Sequence, residues 1–275
     1  MFVYQAIDIF IKAKQAENLS NQTIQSYSYR LNIFGSYVSE KNPPGELPRE
    51  PTVIEDFLIY KNSTPETVDT YFRLLRNFYR FLNRRGEIDF NPLDKMAKPK
   101  LPRKVVRSFT QKELRQILNY PGHRDHDRAF LWLLASTGMR VGEALSVTEE
   151  SFIDGVLTIQ GKTGQRLVPM DPRIWKMVEY ELPWVWNRRE SASEGIKKAI
   201  KRAGVTGNRA SAHTLRHTFC RLWNHDLQSL VGVMGWTTNR MLDKYKPYDV
   251  MRAKNDVKKY LHDQGMDQTT QLNLF

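Results

Sequence analysis

Residues 95–107 divide this chain. They carry Lys95, Lys98, Lys100, Arg103, Lys104 and Arg107 with two prolines and no acidic residue. Proline stiffens such a stretch and unbalanced charge keeps it solvated, so neither flanking half can absorb it into a core. A chain of 275 residues also exceeds the usual size of one compact core. The reading is a domain over 1–94, a basic interdomain linker over 95–107, a second domain over 108–263 and a tail over 264–275.

The first domain reads as helical throughout. Val3, Ala6, Ile7, Phe10 and Ile11 fall on one helical face up to about Ala16. Ser20 caps a second helix, along which Ile24, Tyr27, Leu31, Phe34 and Val38 recur before the break at Asn42-Pro43-Pro44-Gly45. A third helix runs from about Pro51 to Lys61. A fourth runs from about Pro65 to Arg85, with Thr64 as its cap and Gly86 as its stop.

The second domain begins with a capping-box pattern, Thr110-Gln-Lys-Glu113. Residues from Ala129 to Thr137 are apolar nearly all round, which marks a buried helix ending at Gly138. Alternation from Val156 to Gln160, a turn at 161–164 and extended character from Arg166 to Met170 predict a small antiparallel hairpin. Helical patterns return at Glu194–Ala203, His213–Asn224, Leu227–Met234 and Asn239–Tyr245. The fold class is mainly α with a small antiparallel β-sheet.

Charge narrows the partner. A formal net charge of +12 and a pI near 9.7 favour a polyanion, most simply nucleic acid, over a basic globule with no such partner. The single cysteine, Cys220, excludes an internal disulfide and a cysteine-rich zinc site, in keeping with a reducing compartment. There is no run of about 18 apolar residues, and Asp8 interrupts the apolar N-terminus where a signal peptide would need none. A soluble, cytoplasmic protein without a membrane partner is expected.

Chemistry concentrates in Arg140, Lys162, His213-Thr-Leu-Arg216-His217, Trp236 and Tyr245. These types suit a phosphodiester. Two arginines grip the non-bridging oxygens, lysine protonates a leaving oxygen, histidine moves a proton and tyrosine is a nucleophile, with no metal or cofactor required. Helical spacing puts His213, Arg216 and His217 on one face, where like charges need an anion among them. A zinc reading of His213 and His217 lacks the glutamate of the metalloprotease pattern, since Thr214 stands there. Gly161-Lys162-Thr163 resembles the end of a phosphate-binding loop, but Val156 replaces its first glycine. Glu143, three residues beyond Arg140, is placed to brace that guanidinium. Each fragment alone also has a plain structural reading: a solvated turn, a helix-end ion pair, a surface helix.

Taken together the motifs resemble those of the tyrosine recombinases, or phage integrases, including the Xer-type and Cre-type enzymes. Thr-Gly-Met-Arg140-Val-Gly-Glu143 is similar to the family's first arginine motif, Gly-Lys162-Thr-Gly to its hairpin lysine and His213-Thr-Leu-Arg216-His217 to its second motif. Gly235-Trp236 followed nine residues later by Tyr245 matches the spacing to its nucleophile; Trp236 stands where most members carry histidine, and its indole donates a hydrogen bond but transfers no proton. Leu19-Ser20-x-x-Thr23-x-x-x-Tyr27 and the stretch from Arg84-Arg85-Gly86 to Asn91-Pro92 resemble the family's core-binding domain.

The resemblance implies a helical core-binding (SAM-like) domain, an α-rich catalytic domain and no arm-binding domain before Val3. It implies site-specific cleavage and rejoining of double-stranded DNA through a 3′-phosphotyrosine, in a homo-tetramer passing through a Holliday junction. Tyr245 is then the nucleophile, ahead of Tyr248, with Arg140, Arg216, His213, Lys162 and Trp236 catalytic and Glu143 and His217 supporting. Phosphate contacts are expected from Lys98, Lys100, Arg103, Lys104 and Arg107, and from Lys197, Lys198, Lys201 and Arg202. The apolar tail end, Leu272–Phe275, is expected to dock on a neighbouring protomer. Rival readings are a DNA-binding regulatory or architectural protein that does not use this chemistry, and a topoisomerase-like nicking and resealing enzyme.

Overall fold

The computed structural model describes residues 1–61, 63–102, 106–161, 164–207, 210–224 and 226–236. The chain divides into two compact units, Met1–Lys104 and Val105–Phe275, each built round its own core.

Four helices make the first unit: α1 (Val3–Ala16), α2 (Asn21–Lys41), α3 (Pro51–Tyr60) and α4 (Pro65–Arg84). The side chains of Ser20 and Thr64 accept from the N–H groups of Thr23 and Thr67, each at 3.4 Å, satisfying donors that a helix start leaves open. Pro51 and Pro65 sit in first turns, where a missing N–H costs nothing. Their apolar faces meet in a core of rings packed edge to face. Phe10 and Phe78 lie 5.4 Å apart at 89°, and Phe34 and Phe57 lie 5.0 Å apart at 71°. Tyr79, fully buried, donates its hydroxyl to the Pro48 carbonyl at 2.9 Å, and burial pushes its phenol pKa well up.

The start of the segment expected to be a solvated linker belongs to this unit. Lys95 ends a 3-10 turn (Pro92–Lys95) and places its ammonium 5.4 Å from the Phe90 ring, and Met96 packs on the core. Lys98 lies 3.7 Å from Asp69, a buried carboxylate that Arg73 also reaches at 2.8 Å. A buried acid needs cations nearby, and the segment supplies one.

The second unit contains α5 (Gln111–Leu118), α6 (Asp125–Thr137), α7 (Val141–Ala144), β1 (Phe152–Ile153), β2 (Val156–Gly161), β3 (Gly164–Pro169), α8 (Pro172–Tyr180), α9 (Arg189–Arg202), α10 (Ala212–Leu222) and α11 (Leu227–Met234). The capping box is present: Thr110 N–H donates to Glu113 at 2.7 Å and Glu113 N–H to the Thr110 hydroxyl at 3.2 Å. The strands form one antiparallel sheet in the order β1-β2-β3, so the expected hairpin gains a third, two-residue strand. Its register pairs Ile159 with Arg166 and Gly161 with Gly164. Leu157, Ile159 and Val168 turn one face into the core with Phe130, Leu134, Trp175 and Ile200.

The short helix α7 also departs from the sequence reading, as do two longer elements. Helix α8 was not anticipated, and α9 begins five residues before Glu194. The helical pattern at 239–245 and the tail at 264–275 lie outside the described residues. Among the described residues no helix is long and apolar enough to cross a membrane.

Candidate active site

Helix α6 stops because Gly138 adopts φ +62°, a conformation in which a side chain is strained. A Cβ there would also fall 2.6 Å from the Phe219 ring and 3.0 Å from the Met234 sulfur. The turn delivers Arg140 to the start of α7. Its backbone N–H donates to Oε2 of Glu143 at 2.7 Å and its guanidinium to Oε1 at 2.9 Å, while the side chain stays half exposed. Arg140 is thus braced yet open. From the far end of α7, the Ala144 carbonyl accepts from the Trp184 indole at 2.8 Å, which fixes this short helix.

Arg216 comes from α10, which Ser211 caps by accepting from the Thr214 N–H at 3.2 Å. The side chain is buried, and it donates to the Gly138 carbonyl at 2.6 Å and to the Met234 carbonyl at 3.4 Å. Both acceptors stand at helix C-termini, those of α6 and α11, where carbonyls lack intrahelical partners and the helix dipole is negative. Burial lowers the Arg216 pKa to about 10, with the nearby Arg140 charge adding to the effect, and at neutral pH it remains a cation. On the same helix the rings of His213 and His217 meet nearly edge to face, 4.3 Å between centroids. His213 is exposed and His217 half-buried.

A third guanidinium, which sequence reasoning missed, completes the cluster. Arg166 donates from Nη1 and Nη2 to the two oxygens of Glu143, at 3.2 and 2.7 Å, and from Nε to the Val233 carbonyl at 2.9 Å. Burial alone would push the Glu143 carboxyl up, but the hydrogen bonds from Arg166 and Arg140 outweigh it and hold the pKa down at about 2. Gly161 and Gly235 leave room for this side chain: a Cβ on either would stand 3.2 and 2.9 Å from it. The sequence did hold a signal. Arg166 falls in phase with the core-facing Val168, and a charge on that face needs a counter-charge.

Trp236 follows Gly235, donates its backbone N–H to the Val231 carbonyl at 3.1 Å and packs half-buried beside Cys220, Leu230 and Met234. The structure therefore brings Arg140, Glu143 and Arg216 together, with His213 and His217 on the helix that carries Arg216. Lys162, Tyr245 and Tyr248 lie outside the described residues, as do Arg103 and Lys104. Lys100, Arg107, Lys198 and Lys201 are exposed, and Lys197 pairs with Glu194 at 3.3 Å. The guanidinium of Arg202 is bound to Asp127, a buried carboxylate. Among the described residues no three His, Cys, Asp or Glu stand together as a metal site would require.

A site of this kind on an α-rich unit with a small sheet defines the tyrosine recombinases, enzymes of site-specific DNA recombination. Residues 107–250, just over half of the sequence, match the model of the phage integrase family, and the chain belongs to that family. It is 26% identical over 279 residues to tyrosine recombinase XerC of Syntrophus aciditrophicus, covering 86% of this chain and 90% of that protein. It is 27% identical over 263 residues to tyrosine recombinase XerD of Yersinia pestis, covering 83% and 88%. In fold it is similar to lambda integrase in a tetramer bound to a Holliday junction, with a TM-score of 0.73 and 16% identity over 90% of this chain and 80% of that one. It is also similar to the XerH recombinase bound to its palindromic difH substrate after cleavage, with a TM-score of 0.70 and 19% identity over 90% and 82%.

Proposed function

We propose that the chain cleaves and rejoins double-stranded DNA at a specific site through a 3′-phosphotyrosyl link, with no call on metal or ATP. The observation that carries this reading is the joining of Arg216 to the turn that presents Arg140, across 78 residues of sequence, by its bond to the Gly138 carbonyl. Two guanidiniums brought to one turn suit the two non-bridging oxygens of one phosphate, and the Arg140 charge is felt at Arg216.

In this reading the Tyr245 oxygen attacks phosphorus while the bond to the 5′ oxygen breaks. A free phenol has a pKa near 10, so only about one in a thousand is ionised at neutral pH, and the attack needs a base and a cationic setting. His213 takes the phenol proton, with His217 supporting it, and Lys162 gives a proton to the departing 5′ oxygen. Arg140 and Arg216 stabilise the charge that grows on the phosphoryl oxygens, and the Trp236 indole adds a hydrogen bond. Because the phosphoester energy is kept in the tyrosine link, a second 5′ hydroxyl reverses the step with no further energy source.

The basic residues Lys98, Lys100, Arg103, Lys104, Arg107, Lys197, Lys198, Lys201 and Arg202 contact DNA phosphates. The protein works in the cytoplasm as a homo-tetramer on two DNA sites, with the tail docking between protomers. To test the reading, nicked suicide duplexes tiled across the DNA flanking its own gene are incubated with the protein and the adduct is mapped by peptide mass. A link to Tyr245 is expected. A link to Tyr248, or no adduct on any duplex, overturns the assignment, and relaxation of one plasmid without exchange between two sites would instead mark a nicking and resealing enzyme.

A further inference from the structure

Arg166 is a buried guanidinium at the site that the reaction above leaves without a task. It stands opposite Ile159 on the core-facing side of the sheet, and only 8% of its side chain is exposed. Glu143, at 7%, is equally enclosed. Each oxygen of that carboxylate receives two donors: Oε1 from the guanidiniums of Arg140 and Arg166, Oε2 from the Arg140 backbone N–H and from Arg166. Charge counting gives the consequence. Glu143 and Arg140 by themselves would be a neutral pair, whose guanidinium has its partner already and draws a phosphate weakly. With Arg166 the trio carries +1, and Arg216, which feels the charges of both other arginines, brings the cluster to +2.

We infer that Arg166 is a positioning residue for strand cleavage: by holding both oxygens of Glu143 it fixes the brace on Arg140 and supplies the charge that leaves the cluster cationic toward a phosphate. It acts through Glu143, from beneath the site. Its third bond, to the Val233 carbonyl, ties the same brace to the end of α11, two residues before Gly235-Trp236. The inference rests on the recombinase reading and deepens it.

The test compares Arg166→Met, Glu143→Gln and the double variant with the wild type in single-turnover formation of the covalent adduct, on the tiled duplex that the wild type cleaves. Arg166→Met is expected to slow adduct formation at saturating duplex about a hundredfold, the order of one preorganised donor. The double variant should be no slower than Glu143→Gln, because the two residues act in series. A carbon-detected NMR titration of the Glu143 carboxyl, made without DNA, should show its pKa rise in Arg166→Met from about 2 into or above the ordinary carboxylate range, since burial then dominates. The adduct rate of that variant should accordingly fall more steeply toward acid than that of the wild type.

A wild-type rate in Arg166→Met, a double variant slower than Glu143→Gln, or an unmoved Glu143 titration overturns the inference. Should Arg166→Met not fold, Arg166→Lys, which keeps the charge but not the fork, is judged by the same three readouts. Absence of any wild-type adduct overturns the recombinase reading instead, while the NMR titration still decides whether Arg166 governs Glu143.

Discussion

In the first unit the large buried side chains are rings that meet edge to face, whereas at the candidate site of the second unit the decisive buried groups are guanidiniums bound to helix-end carbonyls and one carboxylate. Ring packing is short-ranged and sums over area, so it secures a shape without aiming any one atom. Guanidinium forks are directional and charged, so they aim atoms but leave a deficit if one partner is removed. Shape is the task of one region and aim that of the other.

The widest gap should open on removing Phe10, a ring wholly buried in the first unit. Phe10→Ala should cost that unit about 3–5 kcal/mol. All six tryptophans lie beyond position 104, so circular dichroism should register an early transition that tryptophan fluorescence does not share; coincident transitions would break the contrast. Next, Arg216→Met should slow adduct formation about a hundred- to a thousandfold, near the value of a lost oxyanion donor. If that variant cleaves at the wild-type rate, aim is not what this guanidinium provides.

Acid sharpens the comparison further. The folded-state pKa of Glu143 is depressed from 4.5 to about 2, so its contribution is complete above pH 4.5 and is lost as the pH falls toward 2. Urea midpoints followed by tryptophan fluorescence should therefore drop across that window, and Glu143→Gln should flatten the drop. Gly138→Ala, which combines a strained left-handed residue with a clash at Phe219, should destabilise the second unit by about 1–3 kcal/mol in the same assay. The smallest effect belongs to Lys12, paired at 2.7 Å with Asp8 but open to solvent on both sides; Lys12→Ala should shift stability by no more than about 0.5 kcal/mol.

How much of this was legible in the sequence differs between the regions for the same reason. Helices α1 to α4 announced themselves because a core of area imposes a period of three and four, with Ser20, Thr64 and Pro65 marking starts and Gly86 a stop. The brace from Glu143 to Arg140 was readable because its partners stand three residues apart. The bond from Arg166 to Glu143 spans 23 residues and that from Arg216 to Met234 spans 18, and no local pattern reports a pairing made by folding. Helix α8 was missed although Asp171-Pro172 is a start signal and Asp171 accepts from the Arg173 N–H at 2.8 Å. Only Trp175 and Val178 of that helix are buried, too few for a period to stand out. The pairing of Arg202 was hidden because a run of basic residues conceals which one faces a buried acid elsewhere, here Asp127.

The last two carbonyls of α11 belong to Val233 and Met234, and each is claimed by a different arginine, Arg166 and Arg216. The end of α11 is therefore moored to the same side chains that hold Glu143 and the Gly138 turn. In the proposed reaction grip and strike are geared together: a substitution that re-aims either guanidinium also turns the end of α11, so neither can be tuned while the other stays still.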